Sequence, residues 1–129
     1  MPRSRKEALS HQLQNLLQTS SGLDALALVS MDGAEIASAL FKGIDRARLS
    51  AMTLAAFTLS QQIGDEFERG GLQELYIRGK NGFIIFIPIA NQAILFGLAH
   101  VDARPGLVLL ELRHIAEKIF AADKAQRTH

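Results

Sequence analysis

The chain has 129 residues, 48% hydrophobic and 21% charged, with no cysteine and a net charge of +1. Length and composition suit one folded domain over residues 1–129 and exclude a disordered chain. The missing cysteines exclude a disulfide scaffold, a thiolate metal site and a cysteine nucleophile, and the near-neutral charge excludes a strongly electrostatic nucleic-acid binder.

The core is expected over about residues 7–122, with short polar tails at 1–6 and 123–129. Ser4-Arg5-Lys6-Glu7 is a capping box that opens a first helix. Leu9, Leu13, Leu16 and Leu17 follow at helical spacing, and Gly22 suits the helix end. A strand over 25–30, an Asp32-Gly33 turn and a strand over 35–40 form a hairpin. A long helix then runs from Asp45, as its cap, to just before Gly70-Gly71. Leu49, Met52, Ala56, Leu59, Ile63 and Phe67 lie on one stripe of it. Leu54 and Phe57 lie opposite, beside Ala47, Ser50 and Gln61, so the helix is apolar on two sides.

Residues 72–78 alternate, with Leu72, Glu74, Tyr76 and Arg78 on one face and Gln73, Leu75 and Ile77 on the other. Gly79 to Gly82 makes a hairpin turn, and the strands over 83–89 and 93–101 are apolar on both faces. Pro88 suits a strand end, and Gly97 leaves a flat spot for close helix packing. The last helix begins around Pro105, buries Val108, Leu112, Ile115, Ala116 and Ile119, and turns polar from Ala121. A frayed tail is expected from Lys124. The order is helix, two strands, helix, three strands, helix. This predicts a three-layer α/β (α+β) sandwich: a mostly antiparallel five-stranded sheet, the middle helix on one face and the terminal helices on the other.

Motifs for chemistry are scarce. Neither phosphate-binding glycine loop occurs, nor the glycine-flanked serine elbow of hydrolases. His11, His100, His114 and His129 are scattered; His114 and Glu117 share a helix face, but a metal centre needs a third ligand. Asp65, Glu66 and Glu68 read as a solvated helix end offset by Arg69. Basic residues cluster only near the ends, at Arg3, Arg5 and Lys6 and at Lys118, Lys124 and Arg127, without interleaved aromatics. No catalytic, metal or cofactor site is therefore expected. The basic start leads into no cleavable hydrophobic stretch, and the apolar run over 83–90 falls short of the roughly twenty residues of a membrane helix. A cytoplasmic protein without membrane insertion is the expectation.

What remains is surface. Leu54 and Phe57 read as apolar residues left outside the chain's own core. Residues 72–78 follow that helix and, at a sheet edge, would offer unpaired backbone with no lysine or proline to protect it. Both point to self-association.

The chain resembles the Roadblock/LC7 family of small-GTPase regulators and scaffolds, which includes MglB-type bacterial proteins and roadblock-type dynein light chains. Gly22-Leu23-x-Ala25, Met31-Asp32-Gly33-Ala34-Glu35-Ile36, the alanine-rich long helix and Gly70-Gly71-Leu72 carry the resemblance. So do Leu75-Tyr76-Ile77, Gly79 to Gly82, Ile87-Pro88-Ile89 and Leu95-Phe96-Gly97-Leu98, over about residues 9–120. It implies a profilin-like or longin-like fold and a homodimer in which the third strands pair and the middle helices lie side by side. By position, that interface holds Leu54, Phe57, Gln61, Leu72, Glu74, Leu75, Tyr76, Ile77 and Arg78. It further implies a non-enzymatic regulator that binds a Ras-like small GTPase, with a pure adaptor as the alternative. A small-molecule sensor is a third reading, against which strands 83–89 and 93–101 supply few polar groups for a pocket. No residue is assigned to the GTPase contact.

Overall fold

The computed structural model describes residues 4–127; Arg3 and His129 lie outside the described residues. Helix α1 (Arg5–Thr19) starts where Ser4 Oγ accepts the Glu7 N–H at 3.2 Å, as the capping box predicts. Strand β1 (Leu23–Ser30) begins two residues early, because Leu23 already pairs with Ala99. The turn to β2 (Glu35–Ala39) is tied by the Ser30 hydroxyl donating to the Asp32 carboxylate, which also accepts the Ala34 N–H at 3.3 Å. Gly33 takes the positive φ of 93° that this turn requires.

The Ser30 hydroxyl, and after it the Ala34 N–H, hold the Asp32 carboxyl below its ordinary pKa. The charged form is thus the one the fold favours. Its contribution is complete above the unfolded-state pKa and fades as pH falls through the lowered folded-state value. Asp32→Ala should lower the thermal midpoint at pH 7, and the difference from wild type should shrink toward pH 2. A melting series across that range checks it; a difference independent of pH would assign the effect to turn geometry alone.

Helix α2 (Arg46–Glu66) is capped by Asp45, whose carboxylate accepts the Arg48 N–H at 3.0 Å. Strands β3 (Leu75–Gly79), β4 (Gly82–Ile89) and β5 (Ala93–His100) follow, then α3 (Pro105–Arg127). Helix α3 departs from the expected end: it runs through Lys124 to Arg127 rather than fraying. The segment Ala121 to Arg127 is rich in strong helix formers and holds no glycine or proline to stop it.

The sheet order is β2-β1-β5-β4-β3, antiparallel at every step. On one face α1 and α3 bury Leu9, Leu13, Val108, Leu112 and Ile119 against Leu26, Leu28, Ile85, Ile87 and Leu95. On the other, α2 packs on Ala27, Phe86, Ile94 and Phe96. The predicted three layers and the side each helix takes agree with this arrangement.

The third strand is shorter than the sequence suggests, starting at Leu75 instead of Leu72. The ladder to β4 pairs Leu75 with Phe86 and Gly79 with Gly82. Continued by two residues, that register would set residue 73 against Pro88. Proline has no N–H to give, so the ladder stops.

Candidate interaction surface

Helix α2 splits the expected stripe: Leu49 and Ala56 face the sheet, whereas Met52, Leu59, Ile63 and Phe67 do not. The side turned to the sheet carries Leu49, Ser50, Thr53, Leu54, Ala56 and Phe57. Thr53 is only 1% exposed, and a Cβ on Gly33 would touch Leu54 at 3.2 Å, which places Leu54 under the β1–β2 turn. Leu54 and Phe57 are therefore half-buried against their own chain. The surplus is Met52, Leu59, Ile63 and Phe67, which are 59%, 58%, 52% and 67% exposed. At spacings of seven, four and four these form one stripe along the outer side of the helix.

Gln61, expected at the interface, is half-buried and accepts the Leu72 N–H on Oε1 at 2.8 Å. It is an internal strut. Leu72 lies outside β3, and Glu74 is held in a two-bond ion pair by Arg113 of α3, whose Nη2 donates to Oε1 at 2.7 Å. Leu75 is half-buried under α2, whereas Tyr76, Ile77 and Arg78 are exposed along the sheet edge.

The two edges differ. Strand β2 pairs with β1 through an irregularity at Leu28/Val29 and carries the Glu35–Arg46 ion pair, both features that discourage strand addition. Strand β3 is regular along its whole length. Between α2 and the adjoining half of the sheet runs an open apolar groove of about 380 Å³. Met52 and Ala56 form one wall; Ile77, Ile84, Phe86 and Leu98 form its floor. An exposed stripe, a free edge and this groove adjoin on one side of the molecule.

The residues considered for chemistry do not converge. Among the described residues no three His, Asp or Glu side chains are grouped as a metal ion needs, and no helix is long and apolar enough to cross a membrane. His114 lines a shallow groove between α1 and α3 with Lys118 and Glu111, while Glu117 borders a different one beside Glu74 and Arg113.

The Roadblock/LC7 domain pattern matches residues 9–99. The chain belongs to the Roadblock/LC7 family. An uncharacterized protein of Methanocaldococcus jannaschii is 30% identical over 105 residues, covering 81% of this chain and 91% of that one. As a Roadblock/LC7 fold it superposes on Myxococcus xanthus MglB with a TM-score of 0.87 at 14% identity, covering 97% and 94% of the two chains. An MglB solved in a tetrameric arrangement gives 0.83 at 16% identity, covering 94% of this chain and 91% of that one. Acanthamoeba castellanii profilin IA gives 0.65 at 14%, covering 88% and 98%. These likenesses agree with the profilin-like sheet expected for a Roadblock/LC7 chain.

Proposed function

We propose that this Roadblock/LC7 protein is a cytoplasmic homodimer that regulates a Ras-like small GTPase through protein contacts, without catalysis of its own. One observation carries the reading: Met52, Leu59, Ile63 and Phe67 form an exposed apolar stripe on α2, and Met52 shares a groove with Ile77 of the regular, unpaired β3 edge. Four large apolar side chains on a single exposed helix face are unusual for a free monomer and suit a partner. The interface proposed is that stripe together with Leu75, Tyr76, Ile77 and Arg78 of β3, joined by the adjoining groove. It replaces Leu54, Phe57 and Gln61, which the chain uses internally.

The GTPase part of the reading rests on family membership. Its test is a turnover assay with a Ras-like GTPase of the same genome, measuring nucleotide exchange and hydrolysis with and without a saturating amount of the protein. A severalfold change in either rate supports regulation. Binding with unchanged rates would assign the adaptor role, and no binding to any such GTPase would remove the GTPase reading altogether.

A further inference from the structure

The early stop of β3 leaves the last residues of β4, 87–89, without a neighbouring strand on that side. Over them α3 places the small Ala116, flanked by Arg113 and Phe120 on the adjoining turns. Between helix and strand this opens a trough of about 380 Å³, floored by the buried side chains of Ile87, Ile89 and Ala116. It lies on the α3 side of the sheet, apart from the α2 stripe and its groove.

The polar groups free around this trough are chiefly acceptors. Met31 donates its N–H to Gln92 O at 3.1 Å, and His100 donates to Gly22 O at 3.2 Å, both on the β1 side of β5. In an antiparallel ladder bonded and non-bonded pairs alternate, so the odd-numbered residues of β5 bond toward β4. Their partners, such as Ile87 opposite Leu95, are the odd-numbered residues of β4. Pro88 therefore turns its carbonyl outward, into the place a longer β3 would fill, and no donor of the described residues reaches it. Glu117 is exposed on α3 and makes no hydrogen bond or ion pair among the described residues. The lining carries two carboxylates, Glu74 and Glu117, against the one guanidinium of Arg113, and both bonds that Arg113 makes go to Glu74.

The group that suits such a trough is apolar along its length, positively charged at its tip, and a donor that does not accept. An arginine side chain has all three properties. Phe120, 44% exposed at the side of the trough and three residues from Glu117, adds a ring face. A planar guanidinium can stack on that ring while its N–H fork bonds a carboxylate, which a lysine ammonium cannot do as well. We propose that the trough is a docking site for an arginine-bearing segment of a partner protein. The arginine stem lies on Ile87, Ile89 and Ala116, and its guanidinium bonds Glu117 and the Pro88 carbonyl against the ring of Phe120. Apolar residues beside the arginine extend the contact over the same floor. The site depends on neither the dimer nor the GTPase reading.

The probe is the blocked peptide acetyl-Leu-Arg-Leu-amide, titrated into the isotope-labelled full chain and followed by amide chemical shifts. Saturable shifts should appear at residues 87, 89 and 90 and along 113–120. The citrulline analogue, which keeps the shape and loses the charge, should bind about fivefold more weakly or worse. Glu117→Gln and Phe120→Leu should each weaken the arginine peptide about threefold to fivefold. Both positions are exposed, so the thermal midpoint should barely move, which separates a lost contact from a lost fold. Glu111→Gln, on the same helix but lining the groove shared with α1, should bind as the wild type does. Equal binding of the citrulline analogue, or full affinity in Glu117→Gln, would overturn the arginine assignment. Free arginine binding as well as the peptide would overturn the docking of a segment. Shifts confined to other surfaces, or no saturable shift at millimolar peptide, would overturn the site.

Discussion

The double variant Leu59→Asp/Ile63→Asp is expected to be a folded monomer. Both side chains are more than half exposed and touch little of their own core, so the substitution should leave the circular dichroism spectrum unchanged. In a dimer packed through the outer side of α2 they become central. Truncating or charging such a position costs about 2 kcal/mol or more, roughly 30-fold in affinity, and two together about 1,000-fold. Light scattering at micromolar concentration should fall from twice 14.1 kDa to the single-chain mass. Phe57→Asp provides the contrast. Its side chain packs against the cluster of Ala27, Phe86, Ile94 and Phe96, so a charge there should destabilise the fold rather than separate two folded copies. A double variant that remains dimeric would place the interface elsewhere.

That contrast also marks how far the sequence could be read. Two apolar sides on α2 were legible, and so was that one of them stays outside the chain's own core. Which side faces the sheet was not. Size is a poor guide here, because the most deeply buried side chains of the helix are Ser50 and Thr53, while the larger Met52, Leu59 and Ile63 are more than half exposed. Turns and caps were legible because their chemistry is local: Ser4, Asp32-Gly33 and Asp45 act within three residues of themselves. The start of β3 was not, because Pro88 ends its ladder from another strand and Arg113 holds Glu74 from thirty-nine residues away. Long-range register has no local imprint. The two chain-internal struts at Gln61 and Arg113, which set the edge, could be found only in three dimensions.

The core makes an equally strong prediction at Gly97 and Leu112. Leu112 is fully buried on α3, and a Cβ added to Gly97 of β5 would lie 2.8 Å from its Cδ1 and 3.2 Å from its Cδ2. The glycine is what lets α3 come so close to the sheet. Leu112→Ala should cost about 2–5 kcal/mol, from lost burial and the cavity left behind. Gly97→Ala should cost about 1–3 kcal/mol, because the added methyl must displace a side chain already packed in place. The double variant should be more stable than the sum of the two losses implies, since the new methyl enters space that the missing leucine vacates. Urea midpoints at one fixed protein concentration would measure this, since any self-association would make apparent stability depend on concentration. Strictly additive losses would mean that the surrounding layers collapse into the Leu112 site on their own, and that the Gly97 contact does not set the spacing of α3 from the sheet.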